Sequence, residues 1–133
     1  MKKYMRIQGH EYSYQTGKPT GVFSLCHRRI ASGVFSQEDT DLFNETNQWF
    51  KDNLVEPQFY KDGNTVRGIT WFRTESFGAF REKTGILTGL LDKYKVPYDI
   101  VFTDYVGEII YEDEYQVGAV DPYEHKLSDM ITP

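Results

Sequence analysis

The sequence has 133 residues, which fits one domain over 1–133, because single domains commonly run ~100–150 residues. Hydrophobic residues make up 39% and aromatic residues 16%, so the core is expected to be built from rings as much as from aliphatic chains. A lone cysteine, Cys26, excludes an internal disulfide, and no stretch approaches the ~18 apolar residues of a membrane-crossing helix. Lys2-Lys3 leads into no apolar run of the signal-peptide kind, so a cytoplasmic protein without a membrane partner is expected.

The net charge of −5 conceals a strong segregation. Residues 1–95 hold 14 Lys and Arg against 11 Asp and Glu, whereas residues 96–125 hold eight acids and no Lys or Arg. Charge blocks of this kind bear on association rather than on fold. The acidity also argues against direct nucleic-acid binding, which wants a basic footprint.

In chain order, Tyr4–Gln8 alternates and reads as a strand. Gly9 to Gly21 reads as a loop punctuated by Gly17, Pro19 and Gly21. Val22–Ala31 reads as a short helix that stops at Gly33. Ser36-Gln37-Glu38-Asp39 resembles a capping box. It opens a helix with Leu42, Phe43, Thr46, Trp49, Phe50 and Leu54 on one stripe and Pro57 as its stop. Asp62-Gly63-Asn64 is a turn, and Thr65–Arg73, β-branched and aromatic, reads as a strand.

The spacing of Phe77, Phe80, Thr84, Leu87, Leu91 and Tyr94 predicts a helix over 75–95, with Thr74 as its N-cap. Gly78, Gly85 and Gly89 lower its propensity and suggest a close approach to a sheet. Tyr98–Asp104 alternates as a strand, and a turn follows around 105–107. Glu108–Val120 is one long or two short strands, with a bulge or tight turn at Asp113. The order β-α-α-β-α-β-β predicts an α+β fold with a mixed sheet of four or five strands and helices on one face. The strands at 65–73 and 98–104 are expected to run parallel, joined by a right-handed crossover.

Several groups are candidates for function. Glu108, Glu112 and Glu114 share parity and would line one sheet face, with Tyr111 and Tyr115 close by. They suit a basic partner surface, a hard-cation site or an acid/base pair, and equally an ordinary solvated sheet face. Arg6 early and Glu112-Asp113-Glu114 late resemble the layout of ADP-ribosyltransferases. That resemblance implies Arg6 as dinucleotide binder and Glu114 as catalytic carboxylate, but it covers two positions and lacks the Ser-Thr-Ser strand. Gly17-Lys18 fails the P-loop test, since Pro19 follows the lysine.

Cys26-His27 does not make a dyad, because adjacent helical residues point ~100° apart. His10, His27 and His125 have no metal-ligand spacing. The ten tyrosines, Tyr12 and Tyr14 among them, suit interfaces and ring stacking, and in part the core.

Tyr4-x-Arg6-Ile7-Gln8-Gly9, Gly68-Ile69-Thr70-Trp71-Phe72 and Ile110-Tyr111-Glu112-Asp113-Glu114-Tyr115-Gln116-Val117 resemble a family of small uncharacterised bacterial and phage proteins. The resemblance implies one domain and transfers no functional residues.

Two readings follow. The first is a non-enzymatic interaction module, an inhibitor or anti-defence type or a self-associating protein. It would bind a protein partner, or a second copy through Arg28/Arg29 or Arg67/Arg73, using Glu108, Glu112, Glu114, Tyr111 and Tyr115. The second is a nucleotide-type ligand binder, or a small transferase, using Arg6, Lys18 and Tyr12. Neither reading calls for a metal or cofactor.

Overall fold

A computed structural model describes residues 1–121; Tyr123, Glu124 and His125 lie outside them. Alternation carries the first strand, β1, over Tyr4–Tyr12, with Met5, Ile7 and Gly9 on its buried face. Gly9, expected to open a loop, continues the strand, because a helix crosses it closely. A Cβ there would lie 2.5 Å from Leu25 Cδ2. The loop returns through a short strand, β2, at Pro19–Gly21, and α1 follows over Val22–Ala31. Next come α2, Gln37–Asn53, and a single turn, α3, at Gln58–Lys61. Ser36 Oγ accepts from the Asp39 amide at 3.1 Å, which is the cap the sequence predicts.

The third strand, β3, spans Ile69–Arg73 and starts later than the β-rich run suggested. Asn64 and Arg67 take left-handed φ of 49° and 57°. The Asn64 side chain holds Gly68 by its amide and carbonyl, at 2.8 and 2.9 Å, so the chain is a tied loop up to that point. The long helix is also divided: Thr74–Phe80 is 3-10, and α4 is Arg81–Lys93. Thr74 makes no side-chain cap; its amide donates to the Lys3 carbonyl at 2.9 Å. Phe77, Phe80, Thr84, Leu87 and Leu91 are buried as their spacing predicts. Gly78, Gly85 and Gly89 play no part in close packing, since a Cβ at any of them meets nothing within 4 Å.

The remaining strands are β4, Tyr98–Thr103, β5, Glu108–Glu112, and β6, Gln116–Val120. The α+β architecture is as expected, but among the described residues the sheet has six strands and every pairing in it is antiparallel. β4 lines one edge of β1, while β2 and β3 share the other; β6 follows β3, and β5 is outermost. β3 and β4 do run the same way, as the crossover reading requires. They do not pair, because β1 lies between them and is antiparallel to both.

The helices cover the face carrying Met5, Ile7 and Phe72, and the core between the layers is ring-rich. Phe80 sits 5.0–6.1 Å from Tyr115, Trp49, Phe72 and Phe50, separations at which ring pairs add ~0.5–1.5 kcal/mol beyond area burial. Asp39 ties α2 to α4: its Oδ2 accepts from Lys93 Nζ at 2.7 Å and from the Tyr94 hydroxyl.

Candidate functional site: a cleft around Arg6

Because β2 and β3 share one edge of β1, the sheet has a seam. Gln8 faces Gly21 of β2, Met5 faces Phe72 of β3, and Arg6 falls between them. Its guanidinium fills the seam. Nη1 donates to Gln8 Oε1 and to the Pro19 carbonyl, each at 2.8 Å. Nη2 reaches the start of α1, where a Cβ on Gly21 would come within 3.3 Å. Among the described residues Nε and Nη2 have no acceptor and no carboxylate pairs with Arg6; the side chain is only half-buried, so these nitrogens stay open to solvent in the cleft. Burial pushes the guanidinium down to about 10, with nearby Tyr60 pulling the other way, so it stays charged at neutral pH. A partly desolvated cation with no paired carboxylate favours an anion, although Asp52 and Glu56 also line the cleft that it borders.

Arg6 lines a cleft of about 900 Å³, within the range of ~300–1,000 Å³ usual for small-molecule sites. Thr70, Phe72 and Gln116 of the sheet line it with Arg6, and the end of α2, the 54–57 connection and Tyr60 of α3 flank its open mouth. The first turn of α1, Val22 to Ser24, also borders it. That helix has Gly21 as N-cap, no side-chain cap bond and no acid in its first turn. Its free amides and positive dipole end therefore add to Arg6.

Two contacts hold the far wall. Gln116 Nε2 donates to the Val55 carbonyl at 2.6 Å. The Phe59 ring beds onto Gly68 and Gly118, where a Cβ would stand 2.8 and 2.4 Å from ring carbons. Tyr60 is fixed in turn: its ring packs on Phe59 at 4.4 Å, and its hydroxyl lies 3.3 Å from Thr70 Oγ1.

The other expected ligand residues are elsewhere. Lys18 lines a cavity of about 160 Å³ with Gln8, Trp71 and Val101, and it pairs with Asp121 at 3.7 Å. Tyr12 is exposed, and its carbonyl accepts from Arg28 Nη2. Neither Glu112 nor Glu114 borders the Arg6 cleft, so the Arg6–Glu114 pair of the transferase layout is not assembled there. Tyr60, Thr70, Gln116 and the α1 terminus were missed by sequence reading. The one signal was a glycine-capped helix start with no acid in its first turn.

The acidic ribbon is extended, but its carboxylates do not line one face. Asp113 does make a tight turn, with Oδ1 accepting from the Tyr115 and Gln116 amides at 2.8 and 2.9 Å. An extra residue between Ile109 and Tyr111 shifts the register, so Glu108 faces Val120 while Glu112 faces Val117. The bulge thus puts Glu108 and Glu112 on opposite faces. Glu112 is paired with Arg73 at 2.9 Å, Asp104 with Lys2 at 3.5 Å, and Asp99 lies 3.0 Å from His10. Tyr115 packs into the core on Phe80, and the Tyr111 hydroxyl donates to Asp113 Oδ2 at 2.5 Å. Burial and that carboxylate push Tyr111 up to about 12.

The cations offered for self-association are engaged as well. Arg28 and Arg29 both bond Glu11, and Arg67 has partners of its own. His27 lies edge-on to Phe43, and Cys26 is fully buried with its thiol pushed up to about 12. Among the described residues no group of three or more His, Cys, Asp or Glu is placed to hold a metal ion. No described helix is long and apolar enough to cross a membrane.

Comparison with protein-family models, with curated proteins and with solved structures finds no match to this chain.

Proposed function

We propose that this protein binds a small nucleotide-type anion in the Arg6 cleft, as a sequestering or sensing protein rather than an enzyme. One observation carries the reading: a half-buried guanidinium with no carboxylate paired to it, beside an uncapped helix start, both bordering an open cleft of ligand size in which Arg6, Lys51 and Lys61 face Asp52 and Glu56. A phosphate supplies the missing counter-charge and accepts from Nε, Nη2 and the α1 amides together. The acidic-surface alternative rests chiefly on Glu108 and Glu114, because most neighbouring acids already have intramolecular partners.

A thermal-shift screen with NAD, ADP-ribose and mono- and cyclic nucleotides tests the proposal. A true ligand at a hundred times its Kd adds ~2.7 kcal/mol to stability. A screen that is flat for every phosphorylated compound would refute it.

A further inference from the structure

The cleft has an aromatic side as well as an anionic one, and Tyr60 dominates the former. Four observations single it out. The ring lines the cleft alongside Phe23 and Phe72. Phe59 backs it at 4.4 Å, and Phe59 is itself wedged onto the two glycines. The hydroxyl is held near Thr70 at 3.3 Å, which fixes the ring's orientation before any ligand arrives. Tyr60 also shares the cleft with Arg6. A ring clamped at its hydroxyl and along one side, next to a guanidinium that lacks an anion, suits a molecule with a planar aromatic group and a phosphate at its two ends.

We infer that the occupant is a nucleoside 5′-phosphate, its phosphate held by Arg6 and the first turn of α1 and its base stacked on Tyr60. This rests on the cleft's being an anion site and adds the identity of the other half of the ligand. Tyr60 is then the specificity residue. Base stacking on a protein ring is tolerant of which base is present, so purine and pyrimidine mononucleotides bind within a small factor of one another. A phosphate without a base loses the stacking term, and a nucleoside without a phosphate loses the ionic one. Lys51 and Lys61 border the same cleft with Asp52 and Glu56, so with Arg6 the cations there outnumber the acids.

The experiment is isothermal titration of the full chain with AMP, UMP, ribose 5-phosphate, inorganic phosphate and adenosine. It is repeated on Arg6→Gln and Tyr60→Leu, each first shown by far-UV circular dichroism and urea titration to be folded. AMP and UMP should bind at least about tenfold more tightly than ribose 5-phosphate or phosphate. Tyr60→Leu should remove that advantage and leave the affinity for phosphate unchanged, while Arg6→Gln weakens every phosphorylated ligand.

Equal binding of phosphate, ribose 5-phosphate and AMP would overturn the base-stacking inference and leave the anion site standing. Binding by none of the phosphorylated ligands would overturn both. Adenosine binding as tightly as AMP, untouched by Arg6→Gln, would overturn the proposed orientation. Should Tyr60→Leu fail to fold, Tyr60→Phe, which keeps the ring and removes the hydroxyl, should retain the preference for AMP over ribose 5-phosphate. Loss of that preference in the phenylalanine variant would also overturn the inference.

Discussion

Replacing Arg6 by methionine separates a ligand-binding role from a structural one. Met keeps most of the side chain's volume and removes the charge. Burial pushes the guanidinium down to about 10; against a free guanidinium at ~12.5, that is a penalty of roughly 3 kcal/mol on the charged form in the folded state. The variant escapes this penalty but leaves the Pro19 carbonyl and the Gln8 amide oxygen without their donor, at a cost of about 1–3 kcal/mol. The balance lies between no change and a gain of about 2 kcal/mol, as when buried charges elsewhere are replaced by apolar groups of similar size.

Urea unfolding followed by tryptophan fluorescence measures the difference, and titration with AMP measures function. Arg6→Met should keep or raise the urea midpoint and lose nucleotide binding. Destabilisation by more than about 2 kcal/mol would mean that the seam needs Arg6 for the fold. The argument from an uncompensated cation would then fall.

Three further outcomes follow from the packing. Hydrogen bonds from Lys93 and Tyr94 hold the Asp39 carboxyl below its usual range. A depressed folded-state pKa gives stability that is fully present above the unfolded value of ~3.8–3.9 and is lost as pH falls below it and through the lower folded value. Asp39→Asn should therefore be less stable than wild type at pH 7 by urea titration, with the gap closing toward pH 3; a gap independent of pH would contradict this. Gly118→Ala drives a methyl to 2.4 Å from the Phe59 ring. It should cost about 1–3 kcal/mol and weaken AMP binding through displacement of Tyr60, and unchanged affinity would argue against Phe59 as the support. Cys26 is fully buried with a raised thiol pKa, so it should react with a disulfide reagent only at the rate of unfolding. Fast modification of the native protein would refute that placement.

Local chemistry was legible in the sequence where neighbours along the chain decide the outcome. The bounds of α1, the Ser36 cap of α2, the stripe from Phe77 to Leu91 and the tight turn at Asp113 all follow from periodicity, capping and side-chain hydrogen bonds within a few residues. Contacts between distant segments were not legible. The helix crossing at Gly9 turned an expected loop into strand, and the bulge before Tyr111 split the acidic face that parity alone had built. Half of the site was visible as Arg6. The seam that strands its guanidinium exists only because β2 and β3 compete for one edge of β1, and Tyr60 joins it only because Phe59 finds two glycines on the sheet. Periodicity tells each residue which way it faces, whereas register and layer packing, set by burial across the whole chain, decide what it meets there.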